Sequence, residues 1–151
     1  MIITEKILFV CTGNTCRSPM AQAIANELFR KSGAGRTAES RGINVLMPSR
    51  ASDNAVKAVR LLYELDLTRH ISRQISPDDL EHASLVLTMT RSQKDYLNLV
   101  YGGSDKIMTF REYAGAGGGD VADPFGGDIM VYQECARQIH DLAEKSFAGG
   151  R

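Results

Sequence analysis

Residues 7–19 read Ile-Leu-Phe-Val-Cys-Thr-Gly-Asn-Thr-Cys-Arg-Ser-Pro. The apolar run Ile7 to Val10 predicts a buried strand, and the pattern that starts at Pro19 and continues to Lys31 predicts a helix. A short loop, residues 11–17, joins the two. The start of a helix offers unpaired N–H groups and the positive end of the helix dipole, so a loop that leads into it favours an anion. The stretch therefore predicts a strand, an anion-binding loop of phosphate size and a helix.

The two ends of this loop carry reactive chemistry. Arg17 supplies a planar guanidinium that matches two phosphate oxygens. The same positive field favours the thiolate form of Cys11, as it does for other cysteines beside an arginine or a helix N-terminus. We expect a thiolate that points at the phosphorus atom of a bound phosphate.

The residues between and after these two fit the same geometry. Gly13 and Asn14 are residue types that tolerate a positive φ, which a loop with inward-facing N–H groups requires. Ser18 suits a helix cap, and Pro19 suits the first helical turn, where no hydrogen bond is lost. An ordinary strand-to-helix turn with a buried cysteine is the alternative.

The rest of the chain alternates between strand and helix patterns, which predicts an α/β fold with a parallel sheet and crossover helices. The further predicted strands are 37–40, 85–89 and 106–110, and the further predicted helices are 52–65, 91–100 and 128–147, with serines 52 and 92 as helix caps. A glycine-rich loop follows the last strand, over residues 113–127. We expect one domain over residues 1–147 and a flexible tail over 148–151.

The composition of the chain excludes several classes of function. The 151 residues carry 18 basic and 18 acidic side chains, and this zero formal charge argues against nucleic-acid or membrane partners. Three cysteines do not form a secreted disulfide framework, and the early charges at Glu5 and Lys6 do not suit a signal peptide. We therefore expect a cytoplasmic protein. His82 and His140 lack metal-ligand spacing with any cysteine, so no metal and no cofactor is indicated.

Cys11 to Pro19 resembles the N-terminal loop of the low-molecular-weight protein tyrosine phosphatases, and Asp123-Pro124-Phe125 is similar to their late Asp-Pro-aromatic segment. Weaker similarities lie at residues 70–74 and 85–89, and the resemblance extends from about residue 5 to residue 147. It implies a three-layer sandwich, in which helices flank a four-stranded parallel sheet. Arg41 departs from the family pattern, where alanine is common.

This resemblance also implies roles for individual residues. Cys11 would be the nucleophile that forms a phosphocysteine, Arg17 would hold the phosphate, and Asp123 would act first as a general acid and then as a base. Asp120 and Asp128 are the competing carboxylates, as a loop charge and a helix cap. The remaining predicted binding residues are Thr12, Gly13, Asn14, Thr15, Cys16, Ser18 and Phe125, with the Ser18 hydroxyl able to donate to the Cys11 sulfur.

Support for the loop is expected from outside it. The resemblance assigns Ser40 and His70 as partners of Asn14, although His70 also fits an ordinary surface position. Cys16 is a candidate for a reversible disulfide with Cys11, or it only packs under the loop. Cys135 lies within the last predicted helix and is interpreted as a core residue.

A phosphorylated protein is the expected substrate, and its phosphorylated residue is the open question. Thr15 stands where many tyrosine-directed relatives have a bulky aliphatic residue, and Gly126-Gly127 stands where they often have paired tyrosines. Both features resemble the bacterial protein-arginine phosphatase branch, so phosphoarginine is favoured over phosphotyrosine. An arsenate reductase would need further cysteines near the loop, and residues 79–92 contain none. A phosphopeptide-binding module would need neither Cys11 nor Asp123.

Overall fold

Four parallel strands form the centre of the structure, a computed structural model that describes residues 5–148. The elements are β1 (Glu5–Cys11), α1 (Arg17–Ser32), β2 (Arg36–Gly42), α2 (Asp53–Tyr63), α3 (Pro77–His82), β3 (Leu85–Thr88), α4 (Arg91–Tyr101), β4 (Ile107–Thr109), α5 (Phe110–Tyr113) and α6 (Ile129–Phe147). The order of the strands across the sheet is β2-β1-β3-β4. The expected tail lies outside the described residues, except for Ala148.

The central strand β1 is apolar on both faces and divides the core into two. Ile7 and Phe9 point into the larger cluster, where side chains of α1, α2 and α6 pack. Leu8 and Val10 point into the smaller cluster on the opposite face, with residues of α3 and α4. A strand that is covered on both faces needs a continuous apolar run, and this is the pattern that the sequence shows. The predicted three-layer α/β sandwich is confirmed.

The last strand and two short helices differ from the sequence-based prediction. β4 ends at Thr109, not at Phe110, because Thr109 caps α5: its side chain accepts from Glu112 N, and the Glu112 side chain accepts from Thr109 N. A second capping box, between Ser76 and Asp79, begins α3. Helices of four and six residues are too short to show an apolar period. Their capping residues were the signal that could have identified them.

Two predicted helix caps are also corrected. Thr90 caps α4 through a capping box with Gln93, and Ser92 lies inside the first turn. Ser52 does occupy the position before α2, but its side chain makes no capping hydrogen bond. The Ser52 hydroxyl instead contacts Cys16, as described below.

The connections place the anion-binding loop at the carboxyl end of β1, between β2 and β3. In an open parallel sheet, the point where the strand order reverses is where ligands bind. The segment after α5 returns to the same edge, because Val121 N donates to the Met89 carbonyl oxygen at 2.9 Å, just after β3. Two segments far apart in sequence therefore meet at one sheet edge.

The end of β2 packs tightly against this loop at Gly42. A Cβ atom on Gly42 would lie 2.5 Å from Val45 Cγ2 and 2.8 Å from the Thr12 carbonyl oxygen. We predict that Gly42→Ala lowers the free energy of unfolding by about 1–3 kcal/mol, the usual cost of overpacking. Urea unfolding would measure it. Gly118→Ala is the matched control, since a Cβ there meets nothing within 4 Å; equal losses in both variants would contradict the steric explanation.

Candidate active site

The loop between β1 and α1 starts at Cys11 and ends where α1 begins, at Arg17. Cys16 occupies the position before the helix and makes no side-chain capping bond. The prediction that Ser18 caps the helix is therefore wrong, because Ser18 is already the second helical residue. Its hydroxyl faces the nucleophile position instead: Ser18 Oγ lies 2.9 Å from Cys11 Sγ.

Asn14 is the structural centre of the loop. It is fully buried, and its backbone has a φ of 57°. Its side-chain amide donates to Ser18 Oγ at 2.8 Å and to Ser40 Oγ at 3.0 Å, and its side-chain oxygen accepts from Arg73 N at 2.9 Å. Gly13, in contrast, does not have the positive φ that the sequence analysis expected, so that prediction was wrong.

These hydrogen bonds leave the Ser18 proton available to the Cys11 sulfur. Since Ser18 Oγ accepts a hydrogen from the Asn14 amide, its own O–H is free to donate to Cys11 Sγ. Ser40 behaves similarly, because it accepts from Asn14 and donates to Gln22 Oε1 at 2.7 Å. The hydrogen bonds among Asn14, Ser18 and Ser40 therefore leave one donor, the Ser18 hydroxyl, for the Cys11 sulfur.

His70 contacts Asn14 through the backbone. His70 Nε2 lies 2.7 Å from the Asn14 carbonyl oxygen, and a carbonyl only accepts, so Nε2 carries the proton. Burial lowers the pKa of His70, and the charge of Arg41 lowers it further, against the opposing effect of the bond to Asn14. Arg41 is itself held by Asp79 Oδ2 at 3.1 Å and by the Ser40 carbonyl at 2.8 Å.

Backbone N–H groups of residues 12–17 are the donors that an anion at this loop would meet. Within the described range 5–148, none of these six groups donates to a protein acceptor. The backbone oxygens of the loop are engaged instead: Asn44 N donates to the Thr12 carbonyl at 2.9 Å, and Ser52 N donates to the Thr15 carbonyl at 3.0 Å. Free donors beside the start of α1 suit the oxygens of a phosphate.

Arg17 joins the loop to the late glycine-rich segment. Its guanidinium is buried, donates from Nη1 to the Val121 carbonyl at 2.9 Å, and lies 3.6 Å from Asp123 Oδ2. The Asp123 side chain is 54% exposed. Asp120 accepts from Arg91 N and Asp128 caps α6, so both competing carboxylates have structural partners.

These groups surround one small pocket of about 240 Å³. Its lining residues are Cys11, Thr12, Gly13, Thr15, Cys16, Arg17, Asp123 and Phe125. Asn14 and Ser18 lie behind this wall, both with no exposed surface. Phe125 is 78% exposed at the rim, where a side chain that enters the pocket would pass. The arrangement combines a thiol, a cation, free N–H donors and a carboxylate, which is a set suited to phosphoryl transfer.

Sequence reasoning missed three contacts beneath the pocket. Tyr132 OH and Ser52 Oγ each lie 3.3 Å from Cys16 Sγ, and Gln93 Nε2 donates to Thr12 Oγ1 at 3.1 Å. Burial, together with the bond to Cys16, raises the pKa of Tyr132 to about 12. A tyrosine and a glutamine inside helices carry no sequence signal of this role, because the contacts span 116 and 81 residues.

The third cysteine, Cys135, is buried in α6, as the sequence analysis expected. Burial raises the pKa of its thiol to about 12. Over residues 5–148, no cluster of three or more His, Cys, Asp or Glu side chains is arranged to hold a metal ion. The described helices include none with the length and apolar character needed to cross a bilayer.

The lowered pKa of His70 predicts a pH dependence of stability. The folded protein binds the His70 proton less readily than the unfolded chain, so stability is complete above about pH 6.5 and falls as the pH drops below it. His70→Gln retains a donor for the Asn14 carbonyl but does not titrate. Urea unfolding at pH 7.5 and pH 5.5 should show a smaller pH-dependent loss in this variant. An equal loss in both proteins would assign the effect to other groups.

Comparison with known proteins agrees with this geometry. Residues 6–149 match the family of low molecular weight phosphotyrosine protein phosphatases. A protein-arginine-phosphatase of Bacillus subtilis (strain 168) is 37% identical over 138 residues, which cover 90% of each chain. A solved low molecular weight protein tyrosine phosphatase from T. tengcongensis is 38% identical with a TM-score of 0.91, over 94% of this chain and 97% of that one.

A further solved structure is the YwlE arginine phosphatase, a cysteine-to-serine mutant with a phosphorylated active-site serine. It is 35% identical to this chain with a TM-score of 0.88, over 93% of this chain and 91% of that one. The family match covers nearly the whole chain, and the first relative is 37% identical to it. Both findings assign the chain to the same family. The chain belongs to the low molecular weight phosphotyrosine protein phosphatase family.

Proposed function

We propose that this protein hydrolyses a phosphorylated protein side chain through a phosphocysteine on Cys11, and that phosphoarginine is its preferred substrate. The observation that carries the proposal is the 240 Å³ pocket, in which Cys11, Arg17 and Asp123 meet beside the free N–H groups of the loop. A cytoplasmic location, where thiols stay reduced, suits the three free cysteines.

In the first step, Cys11 Sγ attacks the phosphorus and forms an S–P bond. The P–N bond of phosphoarginine breaks, and its electron pair stays on the guanidine nitrogen, which takes a proton from Asp123. Arg17 and the N–H groups of residues 12–17 bind the three equatorial oxygens, where negative charge builds up. Asp123 is suited to this role because it lines the pocket and reaches solvent.

In the second step, water attacks the phosphocysteine. A new O–P bond forms, the S–P bond breaks, and the Asp123 carboxylate takes a proton from the water. The sulfur leaves as a thiolate, which the Ser18 hydroxyl stabilises at 2.9 Å. The YwlE mutant supports this route, because a phosphorylated serine in a cysteine-to-serine variant is the stable counterpart of a phosphorylated cysteine.

The pocket rim favours a guanidine over a phenyl ring. Thr15 lines the pocket, and its side chain is small and carries a hydroxyl. Only one aromatic side chain, Phe125, lines the pocket within the part of the chain that the structure describes. A second aromatic cannot follow it without a rearrangement, because Gly126 has a φ of 83° and a Cβ on Gly127 would lie 2.8 Å from Val131. The turn therefore requires its two glycines.

Phosphotyrosine is the second candidate substrate, and the name of the T. tengcongensis structure supports it. The two candidates share the same catalytic steps and differ only in the bond that breaks, P–N or P–O. Arsenate reduction has less support, since Cys135 is buried and its raised pKa leaves it as a neutral thiol.

The role of Asp123 predicts a dependence on the leaving group. Asp123→Asn should slow hydrolysis of substrates with poor leaving groups by about 100-fold or more, the usual size of general acid–base assistance. Aryl phosphates with good leaving groups should slow much less. Single-turnover rates across a series of aryl phosphates would measure this, with Cys11→Ser as the inactive control. A uniform loss across the series would indicate a structural role for Asp123.

The substrate assignment is tested at Thr15. Thr15→Ile replaces a hydroxyl by an ethyl group, so a bound phosphoguanidine loses a polar partner, and such a loss discriminates strongly between substrates. We expect kcat/KM on phosphoarginine peptides to fall much more than on phosphotyrosine peptides. Both efficiencies are measured in both proteins. An unchanged ratio would contradict the role of Thr15, and a wild-type ratio that already favours phosphotyrosine would identify a tyrosine phosphatase.

A further inference from the structure

A second concavity, of about 490 Å³, lies beside the phosphate pocket, and we call it the α6 groove. Its lining residues are Ala122, Asp123, Pro124, Met130, Val131, Gln133, Glu134, Cys135, Arg137 and Gln138. Asp123 lines both concavities, whereas Phe125 lines only the pocket and Pro124 only the groove. The two concavities therefore meet at Asp123.

The chemistry of the α6 groove suits an apolar side chain. Met130 is 71% exposed and Val131 is 47% exposed, beside the buried Pro124. Cys135 adds a neutral thiol to this surface, because burial raises its pKa to about 12, and an uncharged thiol packs as a small apolar group. Exposed apolar surface of this kind, with a polar rim, is typical of a binding site.

The charged residues at the groove do not favour a charged ligand. Arg137 Nη1 lies 3.6 Å from Glu134 Oε2, one turn apart on α6, so each charge has an opposite partner. Gln133 and Gln138 are neutral and can hydrogen-bond to a peptide backbone. The groove thus combines apolar contacts with neutral polar groups, as protein interfaces do at their centre and rim.

The groove is held in shape by the start of α6 and by the turn before it. Asp128 Oδ1 accepts from Val131 N at the start of α6, and Gly127 N donates to the Pro124 carbonyl at 2.8 Å. Gly127 packs directly against Val131. A site that is already formed loses little freedom when it binds a ligand.

We propose that the α6 groove binds an apolar side chain of the substrate polypeptide, close in sequence to the phosphorylated residue. This inference rests on the proposed function, because the phosphorylated side chain has to occupy the neighbouring pocket. Continuity between the two concavities carries it, because Asp123 lines both the groove and the pocket that would anchor the phosphorylated side chain. An extended chain advances about 3.3 Å per residue, so a residue two or three positions away lies about 7–10 Å along the chain.

The experiment compares phosphoarginine peptides of identical length that carry leucine or serine two and three residues from the phosphorylated position, on either side. KM should be about five- to tenfold lower for the best leucine peptide than for its serine counterpart, a range expected for partial burial of one aliphatic side chain. The small substrate p-nitrophenyl phosphate, which cannot reach the groove, measures the pocket alone.

Two variants connect this preference with the groove. Met130→Gln exchanges an exposed apolar side chain for a polar one of similar length, and it should remove most of the leucine preference. Leu99→Gln is the matched control, since Leu99 is 84% exposed on α4 and does not line the groove. Both variants should hydrolyse p-nitrophenyl phosphate like the parent protein.

The outcomes separate this inference from the proposed function. Equal KM values for leucine and serine peptides in the parent protein, or a preference that survives Met130→Gln, would overturn the groove assignment while hydrolysis of p-nitrophenyl phosphate continues. A preference lost equally in Leu99→Gln would also overturn it. Absence of all phosphatase activity would instead contradict the proposed function. If only phosphotyrosine peptides are cleaved, the same comparison with these peptides decides the groove assignment.

Discussion

The buried side chain of Asn14 is the constraint on which the active-site loop depends. Its amide and carbonyl groups connect three separate segments: the start of α1 at Ser18, the end of β2 at Ser40, and the connection after α2 at Arg73. Its positive φ turns the chain between Cys11 and Arg17. Removal of a buried hydrogen-bonding group leaves its partners unsatisfied, at about 1–3 kcal/mol for each. The loop is therefore held by tertiary contacts more than by its own sequence.

Arg17 extends this rigid loop to the segment that carries the proposed acid. Its bond to the Val121 carbonyl and the bond from Val121 N to Met89 hold the same residue from both sides. Asp123 follows two residues later, so its position relative to Cys11 is set through a buried guanidinium. The residue proposed to bind phosphate also assembles the site, and a substitution of Arg17 would disturb both properties. Kinetic measurements on Arg17 variants therefore have to separate a loss of phosphate binding from a loss of the structure of the site.

The sequence was sufficient for the layers of the fold and for most of the pocket. Apolar runs and helical periods report burial directly, so the four strands and the long helices were predicted within a few residues. The grouping of Cys11, Arg17 and Asp123 around one pocket followed from the loop directly after the first strand and from the family resemblance. The predictions that failed concern local structure. Ser18 and Ser92 are not helix caps, because Cys16 and Thr90 occupy the cap positions. The contacts of Tyr132 and Gln93 depend on packing between distant segments, which no single-sequence pattern records.

The unpaired donors of the loop belong to the backbone of residues 12–17, so the proposed phosphate-binding groups are separate from the side chains at the entrance. A peptide N–H is present whatever side chain is attached, so point mutations change the phosphate-binding part little as long as the loop keeps its shape. Within the described residues, the Thr15 and Phe125 side chains at the entrance make no hydrogen bond to another loop. Substitutions at these two positions would therefore change substrate choice more readily than phosphate binding. Such a division offers a physical reason why one family holds members named for arginine and for tyrosine.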